Sequence, residues 1–225
     1  MKKSVGTASF AILLILLVSA SATLSGAIAG SKHDFSGQAW AVSEICRPCH
    51  FPHGAYQAGT GATKFAPLWN HTVTTATFTV YASPSGTFQG GALNVTTGSS
   101  LACLSCHDGT VALDAMGGAA GTVTSKILPI NNVGTDLTND HPVGFTYDAT
   151  LATADGFLAN PATTNVTLPT GQGTGTTTGT IAVKLLQNGR IECASCHDVH
   201  NTPNQTYMLK MSNTGSALCR VCHLK

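Results

Sequence analysis

Apolar positions are spread unevenly along this chain. Phe10 to Ala20 is an apolar run rich in Ile and Leu, with Lys2-Lys3 before it and Ala27-Ile28-Ala29 after it. A positive start, a short apolar stretch and an A-x-A site together read as an export signal, cleaved before Gly30. The run is too short for a membrane anchor, and Ser, Thr and Gly follow it. No cysteine stands near the cleavage site to take a lipid, and no second long apolar stretch follows. The expected organisation is a signal peptide over 1–29 and one domain over 30–225. That domain works outside the cytoplasm, secreted or at the cell surface, with the periplasm as the alternative.

Past the leader, alternation is weak and local. Val73 to Tyr81 mixes Thr, Val and aromatic residues and predicts a strand. Thr180 to Leu186, Gln187-Asn188-Gly189 and Arg190 to Cys193 predict a β-hairpin, because Asn-Gly suits a type I′ turn. Gly171 to Thr180 is nearly all Gly and Thr and predicts a flexible loop. Short helices are expected around the cysteine motifs, and irregular chain elsewhere.

Composition sharpens this picture. Charged residues are 9% and aromatics 6% of the chain. Small side chains bury little apolar area each, so a core of protein alone would be thin against the entropy of ordering the chain. Removing the leader, with its two lysines and no acid, leaves nine basic against ten acidic groups. No basic patch is dense enough for nucleic acid.

All eight cysteines fall in four pairs. They are Cys46-Arg47-Pro48-Cys49-His50, Cys103-Leu104-Ser105-Cys106-His107, Cys193-Ala194-Ser195-Cys196-His197 and Cys219-Arg220-Val221-Cys222-His223. Each pair reads C-x-x-C-H, the attachment signature of c-type haem. Two thiols three residues apart share one helical turn and can form thioethers to the two vinyl groups of one porphyrin. The following imidazole then lies under the iron. Exported chains with an even cysteine count usually form disulfides, but this spacing argues otherwise. Cysteine-only zinc sites or redox dithiols would not explain a histidine after every pair. The reading is four covalently bound haem c groups, with proximal ligands His50, His107, His197 and His223.

Five histidines remain for the sixth positions: His33, His53, His71, His141 and His200. His53 and His200 each stand three residues after a proximal histidine, on the same face of a helical turn. Neither can reach the far side of its own haem without the chain wrapping the rim, so each is expected to serve a neighbouring iron. His141 lies between Asp140, which can orient its ring, and Pro142, which biases it away from helix. Spacing alone leaves His33 and His71 open. Methionine ligands are not needed, and bis-histidine ligation with low potentials follows. Filled axial positions suit electron transfer and leave no site for substrate chemistry, so no enzyme activity is expected.

The motifs are separated by gaps of unequal length. Starts lie at 46, 103, 193 and 219, and the long second gap carries little recognisable chemistry. The expected fold is a multihaem cytochrome c, mostly irregular coil with short helices and a few β-hairpins, wrapped around four stacked haems that form its core.

The ordered series is more specific than any single motif. It runs His33-Asp34-Phe35-Ser36, Cys46 to Gly54, Ala66-Pro67-Leu68-Trp69-Asn70, Cys103 to Gly109, Asn139-Asp140-His141-Pro142-Val143, Cys193 to Asn201, and Cys219 to His223. It resembles the exported multihaem cytochromes of metal-reducing bacteria and some archaea. At this size and with four motifs it is similar to the tetrahaem cytochromes that polymerise into extracellular nanowires. The resemblance implies distal ligands His33, His53, His141 and His200, with His71 as the alternative, and haems in alternating stacked and T-shaped pairs. It also implies that His33 can ligate a haem of the next subunit.

Two functional expectations follow, both electron transfer through bis-histidine haems. One is the repeating subunit of an extracellular conductive homopolymer. The alternative is a monomeric periplasmic shuttle or a respiratory-complex subunit. A low-charge Gly/Thr/Ala surface suits burial between copies, whereas a shuttle more often carries a charged docking patch. Expected partners are other copies of the chain, redox proteins and extracellular acceptors, with no nucleic acid and no membrane span after cleavage.

Overall fold

A computed structural model describes residues 28–41, 43–51, 67–122, 127–171 and 174–225. Nearly all of the expected signal peptide lies outside them. Among the described residues no helix is long and apolar enough to cross a membrane.

Among the described residues five short α-helices and four strands are set in irregular chain. They are α1 (Ser99–His107), β1 (Phe145–Thr146), α2 (Ala149–Asp155), β2 (Asn165–Thr170), β3 (Gly175–Thr180), α3 (Ile181–Lys184), β4 (Arg190–Ile191), α4 (Cys193–Cys196) and α5 (Cys219–Cys222). β2 and β3 form an antiparallel hairpin in register from Asn165 opposite Thr180 to Thr170 opposite Gly175. β1 pairs antiparallel with β4, Phe145 facing Ile191.

The protein does have an apolar core of its own. It lies in the long stretch between the second and third motifs, which the sequence pattern leaves as wrapping. Phe145, Tyr147, Leu151, Val166, Leu168, Ile181, Leu185 and Ile191 pack together there. Asp148 caps α2 by accepting the Leu151 N–H at 2.8 Å, and Gly156 ends the helix with φ 76°. The Tyr147 hydroxyl donates to the Ala159 carbonyl inside this core.

Three local expectations are corrected. Gly175–Thr180 is strand β3, not flexible loop. Val166 and Leu168 of β2 bury one face of the hairpin, and the Thr167 and Thr178 hydroxyls meet at 2.7 Å on the other. Residues 181–184 are helix α3, because Ile181 and Leu185, four apart, both point into the core. The Asn188-Gly189 turn is kept, with φ 51° and 73°, but it delivers β4 to β1 and not to residues 180–186. Val73–Tyr81 forms no strand. Its polar groups go elsewhere: the Thr74 N–H donates to Ser105 Oγ at 3.1 Å and its hydroxyl to Asp108 at 2.5 Å.

Candidate functional site

Each C-x-x-C-H motif closes one helical turn. The N–H of the last residue donates to the carbonyl of the first cysteine for His50 at 2.8 Å, His197 at 3.1 Å and His223 at 3.0 Å. The second motif makes the last turns of α1. Both thiols of a pair therefore sit on one side of one turn. No disulfide joins any two of the eight cysteines. Among the described residues no three His, Cys, Asp or Glu side chains converge as a zinc site requires.

Three of the motifs are held by the same main-chain clamp. Phe51 N donates to Leu68 O at 3.0 Å and Asn70 N to Cys49 O at 2.9 Å, so that Trp69 bridges His50. Asp198 N donates to Met208 O at 2.7 Å and Lys210 N to Cys196 O at 2.8 Å, so that Leu209 bridges His197. Leu224 N donates to Phe157 O at 2.8 Å and Ala159 N to Cys222 O at 2.8 Å, so that Leu158 bridges His223. The clamping segment follows the motif twice and precedes it once. Leu68 and Met208 occupy the same clamp position and share a left-handed backbone, φ 57° and 55°. The second motif differs, with Val133 N donating to His107 O at 2.8 Å.

The histidine rings are oriented by carbonyls. Nδ1 donates to Pro67 O in His50 (2.7 Å), to Asn131 O in His107 (2.8 Å), to Tyr207 O in His197 (3.0 Å) and to Pro142 O in His141 (2.9 Å). His33 is hydrogen-bonded to the Val199 carbonyl. A donating Nδ1 fixes the tautomer that leaves Nε2 as the ligand. Burial, and then the neighbouring His107, hold the His33 pKa below its ordinary value, which favours the neutral, ligating ring.

The rings then meet in pairs. His33 and His107 have centroids 6.0 Å apart, His50 and His200 6.2 Å, and His141 and His223 6.3 Å. A metal–imidazole bond is about 2 Å and a ring nitrogen lies roughly 1 Å from its centroid, so two rings on one metal stand about 6 Å apart. His33 thus faces a proximal histidine of its own chain. His53, the remaining expected ligand, lies outside the described residues.

His71 is placed differently. It is 2% exposed, and its Nδ1 and Nε2 lie 2.9 Å from Thr72 O and 3.0 Å from Ala112 O. Both nitrogens point at main chain, with Cys106 Sγ 3.6 Å from Nε2. Burial lowers its pKa.

A buried joint connects the second motif to the third. Glu192, 1% exposed, accepts from Ser100 N at 3.3 Å, from the Ser100 hydroxyl, and from Arg190 Nε at 2.9 Å. Its own N–H donates to Ser195 Oγ at 2.9 Å, and Cys193 N donates to Ser100 Oγ at 3.1 Å. Ser occupies the third position of both motifs, as Ser105 and Ser195, and both are buried, but only Ser195 takes part in this joint. Glu192 had no sequence signal, and neither did the carbonyls of Pro67, Asn131 and Tyr207.

Residues 186–225 match the family described as the doubled CXXCH motif, a span that contains α4 and α5. The match supports a multihaem c-type cytochrome. Its motifs indicate covalently bound haem c and, with it, electron transfer. No curated protein matches the chain. The residues fit the group: paired thiols on one turn, imidazoles with Nε2 left to bind, and ring pairs spaced for one metal.

Proposed function

We propose that this chain is an exported tetrahaem c-type cytochrome and the repeating subunit of an extracellular electron-conducting filament. The observation that carries the ligand assignment is the opposition of His33 to His107, His50 to His200 and His141 to His223 at 6.0–6.3 Å. His197 then takes His53. Each bound haem c supplies one-electron chemistry at its iron. The cysteine pairs tether the groups, and the carbonyls of Pro67, Asn131 and Tyr207 hold the proximal rings. Two imidazoles at every iron leave no position for a substrate, so the protein is no enzyme. His200 and His197, three apart, serve different irons and so link adjacent sites through one turn of chain.

The surface supports assembly. Ile130 is 88% exposed, Tyr207 82% and Val183 75%, large apolar side chains available for contact with further copies.

The test is to count haems by intact mass on the mature protein and to image material sheared from cells by cryo-electron microscopy. Four haems per chain and ordered filaments with a continuous haem path are expected. Discrete single-chain particles with four low-spin haems would assign the protein to the monomeric shuttles. Fewer haems would overturn the tetrahaem reading.

A further inference from the structure

We propose that the indole N–H of Trp69 donates a hydrogen bond to a propionate of the haem held by Cys46, Cys49 and His50. This rests on the presence of haem c at the first motif. Trp69 is the clamp residue that bridges His50, and its ring stands edge-on to that imidazole, centroids 6.4 Å apart at 85°. Its Nε1 is buried and, among the described residues, has no hydrogen-bond partner. A buried donor without an acceptor is unfavourable and rare in native proteins.

The donors around it are satisfied. Asn70 Nδ2 donates to Arg47 O at 2.7 Å, and both His71 nitrogens lie on carbonyls. Among the described residues the Trp69 N–H is the donor of this cluster without an acceptor, and it lies beside the His50 ring. The chemistry of the group narrows what can answer it. In haem c the vinyls are consumed by the thioethers and the pyrrole nitrogens by iron. The strong acceptors left are the two propionate carboxylates, and an N–H to a carboxylate is a charge-assisted bond. The equivalent clamp residues at the third and fourth motifs are Leu209 and Leu158, which carry no donor. The interaction therefore marks one haem of the set.

The experiment uses the haem-loaded, mature chain with ¹⁵N-labelled tryptophan. Only Trp40 and Trp69 give indole signals, and loss of one in Trp69→Phe assigns them. The Trp69 N–H is expected to exchange slowly with deuterium and to be displaced by the adjacent paramagnetic iron. Trp69→Phe keeps an aromatic ring. It is expected to lower the midpoint potential of one haem, leave the others in place, and shift a single propionate band in the resonance Raman spectrum. The sign follows from the carboxylate: without its donor it presents more negative charge and favours ferric iron. If the variant does not fold, the exchange rate in the unmodified protein decides alone. Haem present on the Cys46–Cys49 peptide with a freely exchanging indole, or with every potential unchanged in a folded Trp69→Phe chain, overturns the hydrogen bond. Absence of haem from that peptide overturns the assignment of the first motif as well.

Discussion

His200 faces His50 across 6.2 Å with ring planes 18° apart, although the two residues lie far apart in sequence. Closing that pair ties the first motif to the third.

Replacing His200 with Ala should therefore unseat the iron beside His50, not the iron beside His197. Electron spin resonance is expected to show one high-spin haem, with the remainder low-spin. A chain in which all haems stay low-spin would reassign the sixth ligand.

His33→Ala is expected to do the same at His107, and to do it in dilute, single-chain protein. The His33 ring meets His107 within one chain at 6.0 Å, so assembly is not needed to complete that site. If the unmodified protein already showed that high-spin signal as dilute single chains and lost it on assembly, His33 would belong to a neighbour.

His71→Gln should leave the spin state of every haem unchanged while lowering stability by about 1–3 kcal/mol, the cost of disturbing a buried hydrogen-bonded group. Its ring fastens residues 71–72 to Ala112 beside Cys106. A new high-spin signal in this variant would make it a ligand.

Glu192→Gln removes the counter-charge of Arg190, whose guanidinium also donates to Asn94 O at 2.9 Å and Gly144 O at 2.5 Å. Breaking a buried pair by losing one partner costs about 3–5 kcal/mol. The retained amide and the partial exposure of Arg190 place this variant at the low end, about 3 kcal/mol, in a denaturant melt.

Gly144→Ala is expected to be worse tolerated than Gly189→Ala. Both residues have left-handed backbones, φ 82° and 73°, but a Cβ on Gly144 would meet Asn94 O at 2.5 Å whereas one on Gly189 meets nothing. Yield of haem-loaded protein and its melting temperature compare the two directly. Equal stability would mean that the 94–95 segment moves aside freely.

The turn that each cysteine pair makes was legible because it is local. A C-x-x-C-H string defines its own geometry within one turn, whatever surrounds it. The hairpin around Asn188-Gly189 was only half legible, since the turn is local but the partner of Arg190–Ile191 lies at Phe145–Thr146. The Gly/Thr stretch misled because composition predicts disorder, while pairing with Val166 and Leu168 supplies a buried face that composition does not reveal. Glu192 was illegible for the opposite reason: its partners Ser100 and Arg190 become neighbours only once α1 and α4 are side by side.

The three matching clamps consist of main-chain hydrogen bonds, and such bonds are indifferent to side-chain identity. Leu-Trp-Asn, Met-Leu-Lys and Phe-Leu-Ala do the same work at three motifs. Their order along the chain is equally free, since Phe157–Ala159 precedes its motif while the other two follow theirs. The pairing is antiparallel in all three. What each clamp demands is backbone shape alone, and a segment of almost any composition can meet it.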